Sequence, residues 1–342
     1  MQIVKFTLIL FFSCASFQIQ FAQTLDSIGA LAPQPKKSIL LLPSDTLSKK
    51  RLHWYIGSAV TASTAGFTGL YFLWYDKVPQ SSFHFFNDLE EWNQIDKTGH
   101  LFGAYFQTKT AFHIHKWAGV SDKKAIWYAG FAGFTLHSMI EVFDGFSQKW
   151  GASASDLAFN AAGSMFYVSQ ELAWHQQRIK MKYSFHGSDY ADPELQTRNR
   201  ELYGKTLAEK ILKDYNGINL WFSFCPADFN PKQKHVKWLG IALGYGAGGM
   251  FGGFDNKWIS INAANDTTFH NRNDVVRYRR FLIAPDIDLE KIPVKKPGWK
   301  LVLGILNYFK FPSPALEFNT KGEIILHPIY TFGLDLPLYI KR

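Results

Sequence analysis

The sequence predicts an α+β protein in which a four-helix, membrane-associated bundle is followed by a β-rich carboxy-terminal region. Periodicity is the first observation behind this. Apolar residues recur three and four apart in segments up to about residue 180, then give way after Asn216 to short aromatic and β-branched runs punctuated by Gly, Pro and Asn. Composition is the second: 342 residues that are 47% hydrophobic and only 19% charged exclude a disordered chain. A mean hydropathy of −0.12 also excludes a chain built of membrane spans from end to end. The third is the aromatic load of 31 Phe, 15 Tyr and 11 Trp, heavy for a water-soluble protein and typical of side chains that settle at a lipid interface.

Residues 1–23 follow the order of a secretory signal: one charge at Lys5, an apolar run from Phe6 to Phe17, and a short polar stretch ending Phe21-Ala22-Gln23. The run is too short to span a bilayer. Cleavage near Ala22 is the first expectation and lipid attachment at Cys14 the second. Residues 24–50 read as a Pro- and Ser-containing linker ending in Lys49-Lys50-Arg51.

The bundle is expected over residues 51–182. Trp54 to Tyr75 opens it with 22 residues that carry no charge, and Ala62/Gly66 and Ala65/Gly69 place small residues four apart, where another backbone can approach. This segment reads either as a membrane span, which would make the protein an inner-membrane one, or as a buried bundle helix. Lys49-Lys50-Arg51 would favour the cytoplasmic side, whereas a cleaved signal places them outside. Asn93 to Lys116 is amphipathic, and Ser121 to Phe143 is apolar from Ala125 to Ile140 except at His137. The last helix, Ser153 to about Lys180, opens on Ser153-Ala154-Ser155-Asp156, a capping-box pattern. Four helices with short connections are the arithmetic of a bundle.

Residues 183–215 form a polar connecting region, helical in part from Pro193 to Lys213, and residues 216–342 the β-rich region. Strands are expected within Ile218–Phe224, Val236–Tyr245, Arg279–Leu289, Trp299–Phe311 and Ile324–Phe332. Five or six strands are too few for an ordinary closed transmembrane barrel, so a small sheet packed on the bundle or on the membrane surface is expected. Gly244 to Gly253 lacks both the Lys-Ser/Thr of a P-loop and the spacing of a dinucleotide fingerprint, and reads as a strand or turn with close backbone approach.

The net charge of +9 is spread in twos and threes, without an Arg-rich helix, zinc-finger spacing or RNP-like strand. Nucleic acid is therefore not the expected partner, and a membrane-facing or merely solvated basic surface is. Cys14 and Cys225, the only cysteines, exclude a disulfide framework and a cysteine-built zinc site.

Three helices carry polar or small residues at i, i+4 and i+7: Asp96, His100 and Gly103; His137, Glu141 and Asp144; Asp156, Asn160 and Gly163. In an antiparallel bundle Glu141, Asp144 and Asp156 would meet across the Gly145 to Gly151 loop, with Asp96 and His100 facing them. The candidates for catalysis are His100, Glu141, Asp144 and Asp156, and those for ligand binding are Asp96, Lys97, His137 and Asn160. Each also has a plain structural role open to it, as a helix cap, a turn or a core histidine. Burying four carboxylates costs several kcal/mol each, so on convergence they must pair with Lys97 or His100, take up protons, or hold a metal. Neither the metal nor any cofactor can be named from the sequence. His113 and His115, two apart, diverge and make a poor metal pair.

Asp96-Lys97-Thr98-Gly99-His100 with Gly103-Ala104-Tyr105, then Glu141-Val142-Phe143-Asp144-Gly145-Phe146, Trp150-Gly151-Ala152-Ser153, and Asp156 with Asn160 and Gly163 resemble the YfiM-type predicted periplasmic lipoproteins, a bacterial domain of unknown function. The resemblance covers roughly residues 90–170 and implies an envelope protein with no assigned activity. A poor lipobox and a long carboxy-terminal extension set this chain apart from that family. A more distant similarity is to the VanZ-like membrane proteins, which also place an Asp-Lys and His, a Glu, and a later Asp and Asn with Gly on successive helices.

The expected function is that of an exported, membrane-associated envelope protein, periplasmic or at the outer membrane. Its polar face would fix helix packing or bind a membrane lipid or an envelope glycan. The alternative is a hydrolase or transferase acting on such a lipid or glycan, with His100 as general base or metal ligand and Glu141, Asp144 and Asp156 as acid, base or ligands.

Overall fold

A computed structural model describes residues 41–76, 78–230, 232, 236–261, 265–330 and 337–341. The expected signal segment, Cys14 and most of the linker lie outside the described residues. The chain divides into two compact units, one holding residues up to Asn87 together with Gly103–His175, the other Asp88–Phe102 together with Gln176 onward.

The first unit is helical. Helix α1 (Lys49–Leu70) starts at the N-cap Ser48 and tightens into a π-helical turn at Tyr71–Tyr75. Helix α2 (Ile95–Trp117) contributes its part from Gly103 onward, and α3 (Asp122–Gly145) and α4 (Ala154–Trp174) follow. The Ser153 hydroxyl accepts from the Asp156 amide at 3.1 Å, which is half of the expected capping box.

The four expected helices are present. Leu52 and Tyr55 of α1 join Ala118, Val120 and Ala125, at the end of α2 and the start of α3, in one apolar cluster. Arg51 is buried; its guanidinium donates to Leu42 O (2.7 Å) and Trp117 O (2.9 Å) and lies 4.8 Å from the Trp117 ring. Glycines set the approach of α2, α3 and α4. At Gly133 a Cβ would stand 2.0 Å from Thr108 Oγ1 and 2.8 Å from Ala104 O, and at Gly130 one would stand 2.6 Å from Val168 Cγ2.

Among the described residues no helix is long and apolar enough to cross a membrane, which corrects the expectation of a span at 54–75. The segment lacks charge, but it is diluted by Gly, Ala, Ser and Thr. Thr61, Thr64 and Thr68 bond their hydroxyls back to the carbonyls of Gly57, Val60 and Thr64, as helical hydroxyls do wherever their surroundings offer no better partner. Helix α4 ends at Trp174 and not near Lys180, because His175 takes the left-handed conformation (φ 51°) and the chain then alternates as a strand.

In the second unit a seven-stranded antiparallel sheet runs in the order β1 (Ile179–Phe185), β2 (Ile218–Phe224), β3 (Leu239–Gly248), β6 (Tyr278–Ile287), β7 (Ser313–Asn319), β8 (Ile324–Tyr330), β9 (Leu338–Lys341). Strands β4 (Lys257–Ile261) and β5 (Thr267–Asn271) form a separate hairpin. Between β1 and β2 lie α5 (Pro193–Tyr203), capped by Asp192, and α6 (Leu207–Lys213), opened by a complete Thr206/Glu209 capping box. The strand expected within Trp299–Phe311 is instead largely a helix, α7 (Pro297–Leu306). Pro297 fixes a helical φ at its first turn, and the Leu- and Trp-containing run fits helical spacing as well as it fits a strand.

The sheet curls. Trp221 on β2 and Tyr330 on β8 are four strand spacings apart, about 19 Å in a flat sheet, yet their ring centroids are 5.7 Å apart. His186, just past β1, bonds to the Tyr330 hydroxyl at 3.4 Å across five spacings. Glycines make room inside the curve: a Cβ at Gly244 would meet the Trp221 ring at 2.7 Å, and one at Gly246 the Asn219 side-chain oxygen at 2.1 Å. This accounts for the first part of the glycine-rich stretch as a strand with close approach.

Gly133→Ala tests the helix packing by its sign. At a solvated helix position Ala would stabilise by up to about 1 kcal/mol, whereas overpacking against Thr108 and Ala104 should destabilise by about 1–3 kcal/mol. Urea unfolding of the two proteins reads the difference.

Candidate functional site

Asp96, Lys97 and His100 belong to the second unit, on the first turns of α2. The approach to that helix is a 3-10 turn, Glu91–Gln94, in which Trp92 (φ 52°) and Asn93 (φ 49°) are left-handed. Bulky residues adopt this conformation only where surrounding contacts fix it. Here the Trp92 amide donates to Gly253 O at 2.8 Å, the Tyr245 hydroxyl donates to Asn93 O, and the Trp92 ring stands edge-on to Tyr203 and Tyr215.

Lys97 is fully buried, its Nζ 2.7 Å from Asp88 Oδ1 and 3.1 Å from Asp96 Oδ2. The second oxygen of Asp96 accepts from the Tyr215 hydroxyl at 2.7 Å. Burial pushes the neighbouring Glu91 carboxyl up to about 7, reinforced by Asp88 and Asp96 and opposed by Lys97 and Arg277. His100 is buried one turn beyond Asp96.

His137, Glu141, Asp144, Asp156 and Asn160 belong to the first unit. Glu141 Oε2 accepts from the Ser153 amide at 2.9 Å, with both residues buried. Asp144 Oδ1 accepts from the Tyr75 hydroxyl at 2.7 Å, and Tyr75 packs on Phe143 and Trp150. These two carboxylates on α3 thereby hold the two segments beside it, the 146–153 loop and the end of the π turn. Asp156 is buried in the first turn of α4, and Asn160, also buried, reaches Ser138 Oγ at 3.4 Å. His137 Nδ1 lies 3.3 Å from Gln107 Nε2, and its ring occupies the space a Gly103 side chain would fill: a Cβ there would stand 2.1 Å from Cε1. His113 is exposed while His115 is buried with Nδ1 2.7 Å from Ala111 O, so the two diverge as their spacing requires.

Each unit therefore assembles part of the expected set. Asp96 and Lys97 come together, and with them Asp88, Glu91 and Tyr215, which the periodicity had not singled out. The acidic run Asp88-Leu89-Glu90-Glu91 ahead of Trp92 was a usable signal for two of these. Tyr75 and Tyr215 offered none, since their carboxylate partners lie 69 and 119 residues away in sequence.

Two measurements test these electrostatics. Between about pH 4.5 and 7 the folded protein keeps a proton on Glu91 that the unfolded chain releases, so the contribution of Glu91 to stability falls as pH rises through that window. Glu91→Gln should flatten this slope when unfolding midpoints are compared at the two ends of the window. Lys97→Met leaves the buried Asp88 and the half-buried Asp96 without their cation and should cost about 3–5 kcal/mol in the same unfolding assay.

Residues 84–170, about a quarter of the chain, match a family described as predicted periplasmic lipoproteins of unknown function (DUF2279). The matched segment contains every expected site residue and agrees with an envelope address; the VanZ-like similarity is not shown. No curated protein matches the chain, and no solved structure does.

Proposed function

We propose that the chain is an exported cell-envelope protein in which the ionisable residues spaced through its helices act as packing locks. The observation that carries this reading is the buried bond from the Ser153 amide to Glu141 Oε2. It satisfies one of the first donors of the α4 start, a group that would otherwise cost free energy on burial. The Asp144–Tyr75 bond and the Lys97 ion pairs follow the same logic in their own units. The similarity of residues 84–170 to predicted periplasmic lipoproteins supports the envelope address.

Conservative and non-conservative changes at Glu141 separate a lock from a catalyst. Glu141→Gln keeps an acceptor oxygen for Ser153 and should leave stability within about 1 kcal/mol of the parent, whereas Glu141→Ala strands that amide and should cost about 1–3 kcal/mol. Equal stability of the parent and both variants in thermal and urea unfolding would remove the lock reading.

Burial of His100, Glu141 and Asp156, each less than 8% exposed, favours a second reading, since buried ionisable groups are where acid, base and ligand functions are tuned. On that reading the protein is an acid/base or metal-assisted hydrolase or transferase of an envelope lipid or glycan. Its test is the divalent-metal content of purified protein by elemental mass spectrometry. Stoichiometric metal that is lost in His100→Ala, with folding intact, would favour it over the lock.

A further inference from the structure

The seven-stranded sheet of the second unit is apolar on both faces, which a sheet with one face in water is not. Its buried, concave face holds Trp221, Ala242, Leu282, Ala284, Ala315 and Tyr330 in one cluster, and beside them Lys180, Lys182, Ser223, Asp286, Glu317 and His327. Asp286 is wholly buried there, 2.8 Å from Lys182 Nζ and 2.5 Å from the Ser223 hydroxyl. Glu317 and His327 pair at 3.0 Å on the neighbouring strands. The alternate positions, on the convex face, are apolar without exception from Leu239 to Leu243 on β3 and from Phe281 to Ile287 on β6. Leu239, Ile241, Leu243, Phe281, Ile283 and Phe318 are 38 to 48% exposed. A sheet in water places its apolar side chains inward, because burial of each large one stabilises by about 1.5–3 kcal/mol. An apolar exterior on alternating residues, over an interior that already holds its own apolar cluster and buried ion pairs, is the pattern of a sheet whose outer solvent is hydrocarbon.

Helix α7 repeats the anomaly. Ten residues, Pro-Gly-Trp-Lys-Leu-Val-Leu-Gly-Ile-Leu, form a helix with no buried residue, and Trp299, Leu301, Val302, Ile305 and Leu306 are 42 to 57% exposed. Lys295, Lys296 and Lys300, all exposed, flank and punctuate it. Apolar side chains beside a cluster of lysines fit a helix lying at the boundary between acyl chains and anionic headgroups.

The strands set the depth of the contact: β3 and β6 have ten residues each, while β1, β2, β7 and β8 have seven and β9 four, so the face seats in one leaflet and the sheet does not cross the bilayer. The outer edge of β1 is not left open: the Tyr183 amide donates to Tyr308 O at 2.8 Å and the Lys310 amide to Tyr183 O at 2.9 Å. Part of the convex face is covered within the unit, where Trp92, Ile95 and Tyr215 pack on Phe185, Ile218 and Tyr245. The bare band starts beyond that cover, at Leu243 and Ile283, which are paired across β3 and β6.

We infer that the convex face of this curled sheet and helix α7 are seated in the hydrocarbon of a lipid bilayer with anionic headgroups. The inference rests on the envelope reading for access to a bilayer and on the sheet alone for the rest. A vesicle experiment therefore fails independently of the Glu141 substitutions in the helical unit.

The experiment uses the full chain with single cysteines at Ile283→Cys, Leu301→Cys and, as a control on the β4–β5 hairpin, Thr268→Cys, each carrying an environment-sensitive fluorophore. The native Cys225 is buried and left in place, and Cys14 is replaced by Ser so that each label reports one position. Vesicles of phosphatidylethanolamine and phosphatidylglycerol containing nitroxide-labelled acyl chains should quench the labels at 283 and 301 and leave that at 268 open to aqueous iodide. Ile241→Lys with Ile283→Lys, or Leu301→Lys in α7 alone, should lower the carbonate-resistant membrane fraction about tenfold or more. Iodide quenching at 283 and 301 in the presence of vesicles would overturn the inference. So would protection of both positions in a lipid-free dimer, which would make a second copy the occupant of this face.

Discussion

The burial of Asp286 between two lysines is the constraint on which the second unit depends. Asp286, Lys182 and Lys310 side chains are at most 1% exposed, and the two lysines come from strand β1 and from the segment leading into β7. A carboxylate taken this far from water costs several kcal/mol unless cations and donors surround it. Lys182, Lys310 and the Ser223 hydroxyl can reach it only if strands separated in the sheet order are brought round to face one another. The curvature follows from that requirement, and so does the need for slender residues at Gly240, Ala242, Gly244 and Gly246 opposite the Trp221 side. Trp221, Leu282 and Tyr330 fill the rest of the concave side, and the larger share of exposed apolar residues stands on the convex one.

The helical unit solves a milder version of the same problem. Its polar residues are few and face small ones: His137 sits over Gly103, and Thr108 and Ser164 bond at 3.1 Å where Gly133 lets α3 approach. The i, i+4, i+7 rows that invite a catalytic reading are also what close helix packing produces when each buried polar group needs a partner and each partner needs room. Glu141 and Asp144 bond to different segments, one to the start of α4 and the other to the end of the π turn, and so fix two directions from one helix face.

Much of the helical unit was legible because helical periodicity is local. The strands β2, β3, β6 and β8 fall on runs that sequence pattern marks, but Trp299–Phe311 shows the limit: an apolar run of that length satisfies either period, and Pro297 decided in favour of helix. Strand β1 was hidden by its neighbour. Lys180, Lys182 and Ser184 alternate with apolar residues directly after a long helix, and an alternation tells that one face differs from the other without telling which face is inside. For the candidate site, the cost of burying carboxylates required a cation and offered Lys97 or His100, and Lys97 lies 3.1 Å from Asp96. The tyrosines and Asp88 came from chain distances that no local pattern encodes.

Strand β3 also divides its own residues into two kinds of tolerance. On the concave side the limit is volume, since Gly244 and Gly246 have other side chains where a methyl group would go, and no choice of polarity relieves that. At Leu239, Ile241 and Leu243 on the convex side nothing in the unit dictates shape, and only the character of the surroundings selects among Leu, Ile, Val and Phe. Sequence drift along this strand should accordingly be free in form on one face and frozen in size on the other, with the two alternating at every residue.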